Sequence, residues 1–144
     1  MSTEQNITTM RRVIEEGFNK GNLGALDDCF APSYKEHQFD LAMSPTLEGF
    51  KGAIRSLRST FPDFSLAIED LAAQDDRVWM RMTGRGTHKG KLMGIPPTGK
   101  SFQIAVFDMC RFENGRIVEH WGAPDRFHMF LQLGLLPQPQ PAQR

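Results

Sequence analysis

The hydrophobic pattern of this chain changes period once, at Pro62, and that change limits the folds open to it. Before Pro62, Leu47, Phe50, Ile54, Leu57 and Phe61 recur at intervals of three and four, the stripe of an amphipathic helix. After it, Phe64, Leu66 and Ile68 alternate with Ser65, Ala67 and Glu69, the period of a half-buried strand. Helices come first and long strands afterwards, so the chain is expected to be α+β rather than a series of alternating βαβ units. The expected architecture is a conical barrel: a strongly curved antiparallel sheet wrapped over N-terminal helices, with a pocket for a small organic molecule between the layers.

Local signals place the elements. Ser2 and Gln5 have capping-box spacing, Ile7, Met10, Val13, Ile14 and Phe18 follow at helical spacing, and Gly21 stops the helix. Asn22 is read as the cap of a short second helix through Leu23, Leu26 and Phe30, ended by Pro32, and residues 33–40 read as extended. Asp75-Asp76 is a polar turn into a strand over 78–88. Pro96 and Pro97 mark a loop, because neither can donate to a ladder. Strands over 102–112 and 116–121 meet at Asn114-Gly115, and Asp125 is read as the N-cap of a short final helix. Residues 1–136 are expected to form one domain, and the Pro- and Gln-rich stretch 137–144 a disordered tail.

Composition narrows the partners. Lys plus Arg (17) equals Asp plus Glu (17), so no basic field favours nucleic acid or an anionic membrane. No apolar run approaches the roughly 20 residues that span a bilayer, and the first residues lack a basic and apolar leader, so the cytoplasm is the expected location. Cys29 and Cys110 have no metal-ligand spacing and are expected to be free buried thiols. The four histidines show neither His-x-His nor His-x-x-x-His spacing, so no metal is expected. Gly84, Gly86 and Gly90 lead into the Pro-Pro loop rather than a helix, which removes the phosphate-binding fingerprint. There is no Gly-x-Ser-x-Gly, and neither cysteine has an activating neighbour.

Several segments carry a resemblance. They are Phe18-Asn19-Lys20-Gly21-Asn22; Phe30-Ala31-Pro32-Ser33-Tyr34 followed by His37; Gly86-Thr87-His88-Lys89-Gly90; Met93-Gly94-Ile95-Pro96-Pro97-Thr98-Gly99-Lys100; Asn114-Gly115-Arg116-Ile117-Val118-Glu119-His120-Trp121; and Gln132-Leu133-Gly134. In this order they resemble the SnoaL-like polyketide cyclases, of the nuclear-transport-factor-2-like fold, over residues 4–136. The resemblance implies a conical α+β barrel with a deep apolar cavity, usually oligomeric. It implies ring closure by intramolecular aldol condensation, without metal or cofactor, on a polyketide-like or other apolar carbonyl compound. It also implies an Asp general acid/base directly after His-Trp, where this chain has Gly122, and a pocket His on the preceding strand, where it has Asp108. The alternatives are a non-catalytic small-molecule-binding protein of the same fold and an epoxide hydrolase.

The residues themselves offer candidates for the chemistry. Asp108 interrupts the apolar run from Ile104 to Cys110, and a buried carboxylate needs either a partner or a proton. It is read as the proton-transfer group; its bland reading is a structural hydrogen bond. His120 is read as its partner, shuttling a proton or orienting a carbonyl, against a satisfied structural histidine. A two-residue Asn114-Gly115 turn would set Asp108 opposite Trp121, and a three-residue loop with a bulge at Gly115 would set it opposite His120. The family reading needs the even-numbered residues of both strands to face the cavity, so the bulge is expected. Val106, Cys110 and Gly122 then line the pocket with Met80 and Met82, although core packing explains the methionines equally well. His37 either closes the pocket mouth or is an exposed strand histidine. His88 reads as a surface residue and His128 as structural. Phe107, Met109 and Trp121 would face outward as an apolar patch, which points to a homo-oligomer, most simply a dimer.

Overall fold

Ser2 Oγ accepts from the Gln5 backbone N–H, and Gln5 Oε1 accepts from that of Ser2, so the expected capping box starts α1 (Thr3–Arg12). The computed structural model in which this is seen describes residues 2–38, 44–138 and 140. α1 continues into a π-helical segment, Val13–Asn19. The amide of Asn19 fastens its end to the sheet, donating to Leu66 O and accepting from Leu66 N–H. A 3₁₀ turn, Leu23–Leu26, leads to β1 (Phe30–Glu36) and α2 (Leu47–Thr60). Then come β2 (Ser65–Gln74), β3 (Arg77–Thr87), β4 (Ser101–Glu113), β5 (Arg116–Pro124) and α3 (Arg126–Gln132). Thr46 caps α2 and Asp125 caps α3, each side chain accepting a first-turn N–H. Among the described residues no helix is long and apolar enough to cross a membrane.

The sheet runs β1-β5-β4-β3-β2. Its last four strands are antiparallel, but β1 lies parallel to β5, which corrects the expectation of a wholly antiparallel sheet. Parallel neighbours need a long crossover, and here α2 and three strands supply it. The short second helix is also corrected: Phe30 and Pro32 belong to β1. Proline is tolerated there because β1 is an edge strand and its pairing with β5 is irregular between Phe30 and Lys35. The last part of the expected 33–40 stretch and most of the expected tail fall outside the described residues.

The period of two decides what the sheet buries. Val78, Met80, Met82, Phe102, Ile104, Cys110 and Phe112 pack under Met10, Ile14, Leu26, Phe50 and Ile54 from the helical side. Trp79 and Phe107 point the other way and are 39% and 53% exposed. Cys29 and Cys110 are free and buried.

The β4–β5 hairpin turns differently from expectation. Asn114 (φ 50°) and Gly115 (φ 75°) form a two-residue turn that pairs Glu113 with Arg116. Two positive φ values make this a primed turn, whose twist matches the strands, so no bulge is needed at the turn. A bulge lies further along instead: Phe112 pairs with Ile117 but Arg111 with Glu119, which leaves Val118 over. Asp108 therefore sits opposite Gly122, not opposite His120.

Candidate active site

Two rows of cross-strand partners build the site. Glu36, His120, Cys110 and Val78 lie side by side on β1, β5, β4 and β3. In the next row Gly122, Asp108 and Met80 are partners. Asp108 and His120 are thus diagonal neighbours, a separation that an Asp and a His can bridge. The extra residue at Val118 makes this possible. Strict counting from the Glu113–Arg116 pair would place Asp108 opposite Trp121 and turn His120 to the other face.

His120 Nε2 is 2.9 Å from Asp108 Oδ2, and its Nδ1 is 2.7 Å from both carboxylate oxygens of Glu36. All three side chains are buried, with 6% of His120, 8% of Asp108 and 2% of Glu36 exposed. Burial alone would strip the proton from the imidazole. The carboxylates of Asp108 and Glu36 outweigh it and push His120 up to about 10. At neutral pH both ring N–H groups therefore donate to carboxylates. His120 is the partner that the buried Asp108 requires, and both of its ring nitrogens are engaged by carboxylates.

The two acids differ in what remains free. Glu36 also accepts the backbone N–H of His37 at 3.1 Å, so both its oxygens are engaged. Asp108 Oδ1 is buried and has no hydrogen-bond partner; nor has the buried hydroxyl of Tyr34. The Phe50 ring of α2 closes one side, edge-on to His120 at 5.8 Å and to Tyr34 at 6.4 Å. At Gly122, a Cβ would overlap Gln38 Oε1 and come 2.9 Å from Asp108 Oδ1. The Asp108 carboxylate thus stands beside the point to which a side chain at 122 would project, and Gln38 occupies the rest of that space.

The other expected site residues divide. Met80 and Cys110 are packed in the core beneath the charged trio, and Met82 is buried further along β3. Val106 is half-buried opposite Met82 and Pro124. Burial pushes the Cys110 thiol well up, with Asp108 and Glu36 adding to it, so Cys110 is no nucleophile. His37 turns to the outer face. Its ring stacks on Trp121 at 4.5 Å and its Nε2 lies 2.7 Å from Glu119 Oε2, away from Asp108. His88, expected at the surface, is wholly buried: its Nδ1 accepts the Thr98 backbone N–H at 3.2 Å and so ties down the Pro-Pro loop. His128 is exposed, 2.6 Å from the α3 cap Asp125. Trp79, Phe107, Met109 and Trp121 line a depression of about 390 Å³ on the outer face. Among the described residues no three His, Cys, Asp or Glu side chains are grouped to hold a metal ion.

Sequence reasoning missed Glu36 and Tyr34. A usable signal existed: Tyr34 and Glu36 alternate with Lys35, so an aromatic ring that must be buried marks the face that Glu36 shares. The polar run Lys35-Glu36-His37-Gln38 concealed it.

Comparison with known proteins supplies an independent line. A family model described as SnoaL-like polyketide cyclase matches residues 8–133. The aklanonic acid methyl ester cyclase DnrD of Streptomyces peucetius is 30% identical over 141 residues, covering 93% of this chain and 92% of that protein. A second aklanonic acid methyl ester cyclase, DauD of Streptomyces sp. (strain C5), is 29% identical over 135 residues, covering 89% and 81%. Among solved structures, TsrD from Streptomyces laurentii aligns with a TM-score of 0.84 at 31% identity, covering 94% of this chain and 99% of that one. IdmH from Streptomyces antibioticus aligns with a TM-score of 0.79 at 35% identity, covering 90% and 99%.

Proposed function

The chain belongs to the SnoaL-like polyketide cyclase family as a cyclase, and on that premise we propose that it closes a ring in a polyketide-like ester or ketone by intramolecular aldol addition, with Asp108 as the proton-transfer group. The observation that carries this reading is Asp108 Oδ1: buried, without a partner, and next to the point where a side chain at Gly122 would project. Asp108 takes a proton from the carbon beside a carbonyl, and the C–H electron pair moves into the enolate. The enolate carbon attacks a second carbonyl carbon of the same molecule. A C–C bond forms, and the second carbonyl oxygen takes the proton back from Asp108. No atom leaves and no electrons pass to an acceptor, so the reaction needs no redox cofactor. His120 holds Asp108 Oδ2 and Glu36 holds His120; both are positioning residues.

Glu36 supplies the second acid that epoxide hydrolysis would call for, but its oxygens are taken by His120 and the His37 N–H rather than open to a water. That disfavours the hydrolytic alternative. The reading extends to assembly: a second copy covers the outer face at Trp79, Phe107, Met109 and Trp121.

The test uses aklanonic acid methyl ester, named as the substrate of the relatives, with ring closure followed by chromatography. Asp108→Asn keeps size and hydrogen bonding but removes the base. It is expected to lower kcat by about 10²–10⁴-fold with affinity nearly unchanged. Full turnover in Asp108→Asn would overturn the assignment. Ligand binding with no turnover in either form would make the protein a non-catalytic binder.

A further inference from the structure

Aldol chemistry at Asp108 leaves one requirement unfilled: a donor for the carbonyl oxygen as it takes on negative charge. His120 cannot serve, because each of its ring N–H groups already donates to a carboxylate. Among the described residues, the buried side-chain polar atoms without a partner are Asn6 Oδ1, Tyr34 Oη, His88 Nε2 and Asp108 Oδ1. Asn6 lies on α1 beside the Asp75-Asp76 turn, and His88 packs against Phe61 at the end of β3. Tyr34 and Asp108 belong to one cluster. Tyr34 precedes Glu36 by two on β1, so both side chains point to the inner face. The same Phe50 ring touches Tyr34 and His120. Glu36 and Asp108 both act on the phenol, Glu36 the more strongly, and no hydrogen bond of normal length and angle joins Tyr34 Oη to either. Burial first, and then those carboxylates, push its ionisation far up, so the hydroxyl keeps its proton and acts as a donor.

A buried hydroxyl without a well-formed hydrogen bond is destabilising, and native structures rarely keep one without a reason. Here the two unpartnered atoms are complementary. Asp108 Oδ1 can only accept and Tyr34 Oη is bound to donate. An enolisable H–C–C=O unit presents one group to each: the C–H to the carboxylate and the carbonyl oxygen to the phenol. We propose that Tyr34 is a further catalytic residue, its hydroxyl donating a hydrogen bond to the substrate carbonyl oxygen that becomes the enolate oxygen when Asp108 removes the neighbouring proton. The assignment rests on the cyclase reading above. It narrows the substrate to a compound whose acidic C–H and ketone or ester oxygen lie on adjacent carbons and reach the two residues together.

The experiment is Tyr34→Phe, which removes one oxygen and keeps the ring. Three measurements are made: thermal unfolding without ligand, kcat and KM on aklanonic acid methyl ester, and emission of bound 2-acetyl-6-dimethylaminonaphthalene. The last is an aryl ketone whose fluorescence moves to longer wavelength when its carbonyl accepts a hydrogen bond. The variant is expected to unfold at the same temperature as the wild type or higher, since only an unpartnered hydroxyl is lost. Its kcat should fall by about 10²–10³-fold with KM little changed, and the bound ketone should emit at shorter wavelength than in the wild type. A wild type that cyclises alongside a Tyr34→Phe that cyclises equally well overturns the proposal and leaves the cyclase reading standing. A wild type that does not cyclise, but whose bound ketone loses its red-shifted emission in Tyr34→Phe, overturns the cyclase reading and keeps Tyr34 as the ligand's donor. A clear loss of unfolding temperature in Tyr34→Phe would show that the hydroxyl has an internal partner, and would overturn the proposal.

Discussion

His120 is the residue whose charge state matters most to both stability and site geometry. Its pKa lies near 6.5 in the unfolded chain and about 10 in the folded one, because Asp108 and Glu36 together outweigh its burial. A histidine raised in this way contributes its full stabilisation below pH 6.5 and loses it as the pH rises through 10. The effect is on the order of a few kcal/mol. Urea unfolding from pH 6.5 to 10 should therefore show the wild type losing more stability than His120→Gln. At neutral pH that variant should itself be less stable by about 3–5 kcal/mol, because it leaves two buried carboxylates without their cation. Parallel pH curves for the two proteins would show that this ion pair does not hold the site. Asp108 was legible in the sequence as a charge inside an apolar run. Glu36 was not, because its burial depends on β5, which lies 84 residues further along the chain at His120.

At the scale of the element, the β4–β5 hairpin sets the site. Its turn and its bulge act separately: the turn fixes the Glu113–Arg116 pair, and the extra Val118 then brings His120 onto the face of Asp108. Gly115 carries a φ of 75°, where a Cβ is strained. Gly115→Ala should cost about 1–2 kcal/mol in urea unfolding while the slope of the transition stays the same. An alanine variant as stable as the wild type would show that the turn is not of this type. The hairpin was visible in the Asn-Gly pair, and the shared inner face of the even-numbered residues was expected. The position of the bulge was not visible, since Ile117 and Val118 are both apolar and buried and nothing local says which one goes unpaired.

For the whole molecule, the outer face of the sheet carries the remaining expectation. Phe107 is 53% exposed and borders the depression shared with Trp79, Met109 and Trp121. Such a patch on a surface without net charge favours self-association. Light scattering at micromolar concentration should give a dimer for the wild type and a monomer for Phe107→Glu, whose charge would be buried unpaired at that contact. A monomeric wild type would remove the proposed assembly. His37 belongs to this outer face through its stack on Trp121, so His37→Ala should act on assembly rather than on turnover.

Features that depend on neighbours along the chain can be read from the residues alone. Ser2 and Asp125 cap their helices, the period shifts from helix to strand after Pro62, and the β-period sends Met80 and Asp108 inward while Phe107 goes outward. Those features need only a few adjacent residues, because capping and alternation are local. Long-range packing set the parallel pairing of β1 with β5, the slip at Val118, the burial of His88 and the meeting of Glu36, His120 and Asp108. Each of these is a contact between segments far apart in sequence, settled by which packing buries the most surface while leaving the fewest charges unpaired.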